Sequence, residues 1–163
     1  MAVLGLAAKL YRVPSTGAAR VAWPGTGIAS GALEITSVKD LSLSLQKEKG
    51  DTTTRGSGGF KTERGTLIGA SVTFSMLYDD ADVHIIAFEN AYFAPPGGTN
   101  RVVPLAILSG SNTGSTGIWS DCEVFKFDKK EPLNGVQLVD VEVSPTDTGP
   151  GTNSRVTAFI TVG

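Results

Sequence analysis

Apolar and polar residues alternate in three stretches of the chain. Over residues 38–47, Leu41, Leu43 and Leu45 alternate with Ser42, Ser44 and Gln46. Over 67–77, Ala70, Val72, Phe74 and Met76 alternate with Ser71, Thr73 and Ser75. Over 136–144, Val139, Val141 and Val143 alternate with Asp140 and Glu142. A period of two sends each set to its own face, so all three predict half-buried β-strands. Residues 118–127 start the same way, with Cys122 and Val124 against Asp121 and Glu123, but Phe125 and Phe127 break the alternation. That interruption predicts a bulge or a face covered by another subunit. With strands at 2–13, 102–108 and 155–162, the count is about seven.

One helix is predicted, over residues 79–93. Asp79 or Asp80 supplies a cap and Asp82 a favourable charge at the positive end of the dipole. Val83, Ile86, Ala87 and Tyr92 or Ala91 give the spacing of a buried stripe, with Ile85 and Phe88 widening it. Pro95 and Pro96 stop the helix. Such a helix serves as a lid on the open end or edge of a sheet.

Residues 51–64 carry no hydrophobic period, and the stretch 48–66 predicts a loop far longer than a hairpin needs. It mixes Lys47, Glu48, Lys49, Asp51, Arg55, Lys61, Glu63 and Arg64 with glycine, threonine and one aromatic, Phe60. Mixed charge on such a segment suits an arm that pairs with a partner surface. Asp51, Thr53, Thr54, Arg55, Phe60, Lys61 and Arg64 are therefore expected to carry a contact outside the chain's own fold.

Composition narrows the class. The 163 residues include 20 glycines, 40% are apolar and 18% charged, which fits a globular, turn-rich β domain spanning 1–163. Its N- and C-terminal segments read as flexible. A net charge of −2 offers no basic patch for reading nucleic acid, and the single Cys122 excludes an internal disulfide. No stretch is long and apolar enough for a membrane helix. The N-terminus has neither the basic start nor the long apolar core of a signal peptide.

Catalytic chemistry has little to build on. His84 is the only histidine and falls within the helix, so it predicts a half-exposed structural imidazole. Cys122 falls on an apolar strand face and predicts an inert thiol. The Gly25 to Gly31 stretch looks like a dinucleotide fingerprint but follows Pro24 and leads into β-like sequence. Phe60 stands where a phosphate loop requires glycine before lysine. Asp79, Asp80 and Asp82 suit helix capping better than cation binding. No catalytic, metal or cofactor site is expected, and the chain reads as a non-enzyme.

The run VKDLSLSL followed by GDTTTRGSGGFK resembles the tail tube (major tail) proteins of long-tailed bacteriophages. Those proteins have Val-Lys-Asp leading into a strand, then an Asp-x-Thr-Thr-Arg loop closed by glycine and an aromatic, here Gly59 and Phe60. The strand and helix of 72–91, the Cys-Glu-Val-Phe-Lys-Phe strand and the Glu131-Pro132-Leu133 turn extend the likeness over most of residues 10–145. The resemblance implies a mainly β fold, two packed antiparallel sheets forming a barrel-like sandwich with one flanking helix. It implies hexameric rings stacked into a tube through which DNA is ejected. Location in a virion tail after synthesis in a host bacterial cytoplasm follows from it. So do tip, terminator and tape-measure proteins as partners, besides further copies of the chain.

The polar strand faces then predict the channel wall: Ser42, Ser44, Gln46, Ser71, Thr73, Ser75, Asp121, Glu123, Asp140 and Glu142. As counted from the sequence this set holds no lysine or arginine, which suits a surface that lets a polyanion slide. The alternatives are the ring protein of a non-viral tube, such as a type VI secretion-like or phage-derived particle, and a β-sandwich binding module. For the module, Trp23 and Trp119 are too few and too far apart to line an aromatic pocket.

Overall fold

The computed structural model describes residues 8–13, 31–96, 98–110, 113–132, 135–146 and 158–162. Their elements are β1 (Lys9–Arg12), β2 (Leu33–Glu34), β3 (Val38–Asp51), β4 (Glu63–Leu77), α1 (Val83–Phe93), β5 (Val102–Leu108), β6 (Thr116–Lys130), β7 (Leu138–Pro145) and β8 (Ala158–Thr161). Residues 2–7, the glycine motif up to Ser30, and Trp23 lie outside the described residues.

All pairing is antiparallel, in the order β2-β1-β5-β6-β7-β4-β3, with β8 also on β6. The expected mainly β architecture with one helix is present, but the strands form one continuous ladder rather than two separate sheets. The reason is the length of β6. Its first half pairs with β5 over residues 117–123 and with β8 over 116–119, while 122–130 pair with β7. One strand thus belongs to both halves of the fold. At Gly117 it passes so close to β5 that an added Cβ would sit 1.7 Å from the Ile107 carbonyl oxygen.

The main core lies on the face of the sheet covered by α1. Val72, Phe74, Met76, Val139, Val141 and Val143 meet Leu105, Ile107, Cys122 and Val124 there, as their alternation predicts. Ile85, Phe88 and Ala91 enter from the helix, and Phe88 stacks obliquely on Phe74 with ring centroids 5.3 Å apart. Tyr11, Val13, Ala106, Leu108, Trp119 and Val162 form a second cluster. Every residue of β5 is buried, with Val103, Leu105 and Ile107 in the main core and Ala106 and Leu108 in the second cluster.

The helix buries only part of the broad stripe expected. Val83, Ile86 and Tyr92 are exposed, and Ile85, Phe88 and Ala91, spaced by three, face the core. Apolar residues occur on nearly every side of this helix, so periodicity did not choose the face. The cap is Asp82, whose carboxylate accepts from the His84 amide at 2.7 Å. Asp79 instead closes the preceding turn by accepting from Ala81 N–H.

The two ends of the expected long loop are strand. β3 and β4 pair out to Asp51 opposite Glu63, leaving 52–62 as the tip. β7 pairs with β4 only from Leu77 to Val72, so the rest of β3 and β4 projects as a two-stranded ribbon. Toward its end, at 48–51 and 63–66, the ribbon meets solvent on both faces, and the period of two vanishes from the sequence there.

Candidate functional site

The polar faces of β3, β4, β7 and the second half of β6 line up in rows across the sheet. One row runs Asp40, Ser75, Asp140, Asp128. The next runs Ser42, Thr73, Glu142, Lys126. Ser44 faces Ser71, and Glu123 faces Ser144. Ser75 Oγ donates to Asp140 at 2.7 Å and Ser71 Oγ to Glu142 at 3.3 Å. A cleft of about 780 Å3 opens over part of these rows, bounded on the other side by Lys9 and Glu34, with Phe74 its one aromatic lining residue.

Eight members of the predicted wall set are thus brought to one face: Ser42, Ser44, Gln46, Ser71, Thr73, Ser75, Asp140 and Glu142. Asp121 is not available there. It is fully buried in the first half of β6, opposite Pro104, with its carbonyl accepting from Thr146 N–H. Glu123 is half-buried and held by Arg101 at 3.2 Å and Thr146 at 3.3 Å.

The expected absence of lysine from this face is corrected by the structure. Between Val124 and Lys126 the register shifts by one residue, making Phe125 the extra residue of a β-bulge. Phe125 is 60% exposed, and beyond it the alternation is inverted. Lys126, Asp128 and Lys130 therefore join the polar rows, opposite Glu142, Asp140 and Leu138. Lys130 is ion-paired with Asp140, and Lys126 with Asp128 at 3.3 Å. Counting strand parity afresh after the broken Phe125–Phe127 pattern is the signal that would have found them.

The other predicted contact residues gather at the ribbon tip, which is built rather than slack. Thr52 N–H donates to the Thr62 carbonyl at 2.9 Å, and Asp51 accepts from Thr53 N–H at 2.8 Å. The hydroxyl and amide of Thr53 hold the carboxyl of Asp51 below its ordinary range. Thr54 and Ser57 cap a single 3₁₀ turn that starts at Arg55, and Gly58 and Gly59 follow with φ of 61° and 84°. Phe60 projects with 78% of its surface exposed. Glu63 takes both Lys61 at 2.8 Å and Lys49 at 3.5 Å, so part of the mixed charge is spent within the ribbon. Arg64 stands opposite Gly50. Along the ribbon Leu45, Leu67 and Ile68 are also exposed.

His84 and Cys122 sit in structural surroundings. Burial pushes the Cys122 thiol up to about 12, far from a thiolate nucleophile at neutral pH. His84 accepts from Arg12 at the start of α1.

This geometry has solved counterparts. A subunit of the native gene transfer agent virion matches over 97% of this chain and 98% of its own, with a TM-score of 0.63 at 14% identity. The SPP1 tail tube protein matches over 98% of this chain and 80% of its own, with a TM-score of 0.62 at 8% identity. The chain has the tail tube fold. A component of the anti-feeding prophage baseplate shares the tail tube fold more loosely, with a TM-score of 0.52 at 9% identity over 95% of this chain. No protein-family profile and no curated sequence matches the chain. Likeness therefore lives in the arrangement of strands and helix, not in residue identity. Among the described residues no helix is long and apolar enough to cross a membrane.

Proposed function

We propose that this chain is the structural subunit of a phage-type tail tube, assembling into stacked rings of six that form a conduit for DNA. The observation that carries the reading is a pair of open strand edges on the half of the sheet built from β3, β4, β7 and the second half of β6. β3 ends the sheet order, and its outer edge has no strand partner over residues 38–51 among the described residues. At the far side of the same sheet, β5 stops pairing with β6 at Glu123, leaving the edge of 124–130 without a strand among the described residues. Open edges of this length invite pairing with another chain. Joining β3 of one copy to β6 of the next satisfies both and closes a ring of copies into a barrel.

The polar rows then line the conduit and the ribbon reaches the neighbouring ring through its tip. Copies of the chain are the main partners, with tip, terminator and tape-measure proteins completing the tail and DNA passing without being held. Subunits of this kind need no catalytic or cofactor chemistry. Negative-stain microscopy of the purified protein tests the reading directly: rings or tubes are expected, and a protein that stays monomeric at high concentration contradicts it. Replacing Asp140 and Glu142 with lysine is expected to permit assembly while slowing DNA exit, most visibly at low salt where screening is weak. Unchanged exit kinetics in that variant would remove the rows from the conduit wall.

A second reading is the ring protein of a related non-viral tube, type VI secretion-like or of a phage-derived particle, favoured by the fold shared with the anti-feeding prophage component. Nuclease-protected DNA in particles isolated with the protein separates the two.

A further inference from the structure

The polar face holds two lysines where a DNA conduit should hold none, and the surrounding acids suggest why this is tolerated. Asp128 and Asp140 stand directly opposite each other on β6 and β7. Like charges in that position repel and destabilise the pair of strands. Lys126 and Lys130 lie two residues to either side of Asp128, on the same face, and each takes one of the two carboxylates. Lys130 and Ser75 together hold the Asp140 carboxyl below its ordinary range. The dependence runs both ways: the lysines relieve the acid pair, and the acids occupy the lysines.

We propose that Asp128 and Asp140 mask Lys126 and Lys130, so that neither of these two ammonium groups stands ready to take a phosphate from a passing polyanion. The inference rests on the reading that this face lines the conduit, and it adds the residues that set the face's low affinity. The rows with these lysines hold Asp40, Asp128, Asp140 and Glu142 against two ammonium groups, so the patch as a whole remains acidic. A phosphate that approaches either lysine competes with a carboxylate already in contact with it. Each lysine that does capture one releases counterions and adds about 0.9 to the salt slope of binding.

The test uses Asp128→Asn with Asp140→Asn, and a short fluorescein-labelled DNA duplex read by anisotropy over a range of salt. In the unassembled subunit this face is open, so the measurement does not depend on tube formation. Tighter binding is expected, with the slope of log affinity against log salt steeper by about 1.8 for two freed lysines. Adding Lys126→Met and Lys130→Met should return both to the wild-type values. Asp79→Asn with Asp80→Asn makes the same change of net charge away from the rows, and should leave the slope unchanged. An unchanged slope in the first variant, or binding that survives loss of both lysines, overturns the masking alone.

The underlying reading is checked separately on assembled tubes carrying Ser42→Cys. Labelling by a small maleimide but not by a polymer too large for the bore supports it. Labelling by the polymer puts the face outside and overturns the conduit reading, and the role of masking with it.

Discussion

Arg12 donates through Nε to Nδ1 of His84 across 3.0 Å, tying β1 to the first turn of the helix. The bond requires that nitrogen to be an unprotonated acceptor. Asp82 caps the same turn and takes a hydrogen bond from Ser37 at 3.3 Å, so the contact sits in a small polar knot between β1, the β2–β3 link and α1.

Burial, then the nearby Arg12 charge, lowers the proton affinity of His84, while Asp82 opposes them. The unfolded chain therefore binds that proton more tightly. His84 contributes its full stability above the unfolded value of about 6.5, and the contribution falls away as pH drops below it. Thermal melts between about pH 7 and pH 5 should show the midpoint falling, with a shallower decline in His84→Gln. Equal slopes in the two proteins would rule out this contact as the source.

Phe88 is completely buried in the main core, with its ring on Phe74. Phe88→Ala should cost about 3–5 kcal/mol in denaturant unfolding, since it empties a large aromatic site. Val83→Ala, on the exposed side of the same helix, should change stability little. A fully stable Phe88→Ala protein would mean that the helix packs by another face.

Gly117 passes β5 with no room for a side chain, and the nearest atoms are backbone atoms of Ile107 and Leu108. Gly117→Ala should destabilise by roughly 1–3 kcal/mol or more, because a strand rather than a side chain must shift. Urea titration gives the value. Gly56→Ala at the ribbon tip, where the nearest atom is 3.7 Å away, serves as the tolerant comparison.

Replacing residues 52–62 with Asn-Gly should close the β3–β4 ladder with a two-residue turn and leave the fold intact. The variant is expected to keep its unfolding midpoint and to lose long tubes in electron micrographs. Tubes of normal length would show that the tip does not join rings.

Much of this architecture is legible in the sequence where one face of a strand is dry and the other wet. Leu41 and Leu43, Val72 to Met76, and Val139 to Val143 announce their faces because water and core lie on opposite sides. Legibility fails where that contrast fails. Ribbon residues 48–51 and 63–66 meet solvent on both faces, so their strand pairing leaves no period. In α1, Val83 and Ile86 are as apolar as the buried Ile85, so the docking face comes from tertiary packing. β2 is only two residues long, below the length at which alternation carries information. The lysines of the polar rows were hidden differently, by a bulge at Phe125 that reverses which parity faces where.

The ribbon also sets a rule for how its length can change. Residues 63–71 of β4 extend beyond the last pair with β7, a reach of about 30 Å at strand spacing. Adding one residue to either strand turns every side chain beyond it to the opposite face. The arm escapes this only through a bulge, as where Thr66 and Leu67 together oppose Glu48. Relatives with longer or shorter arms should therefore differ by even numbers of residues in each strand, in steps of about 7 Å. The arm behaves as a ruler with coarse graduations, and the distance between whatever it joins inherits them.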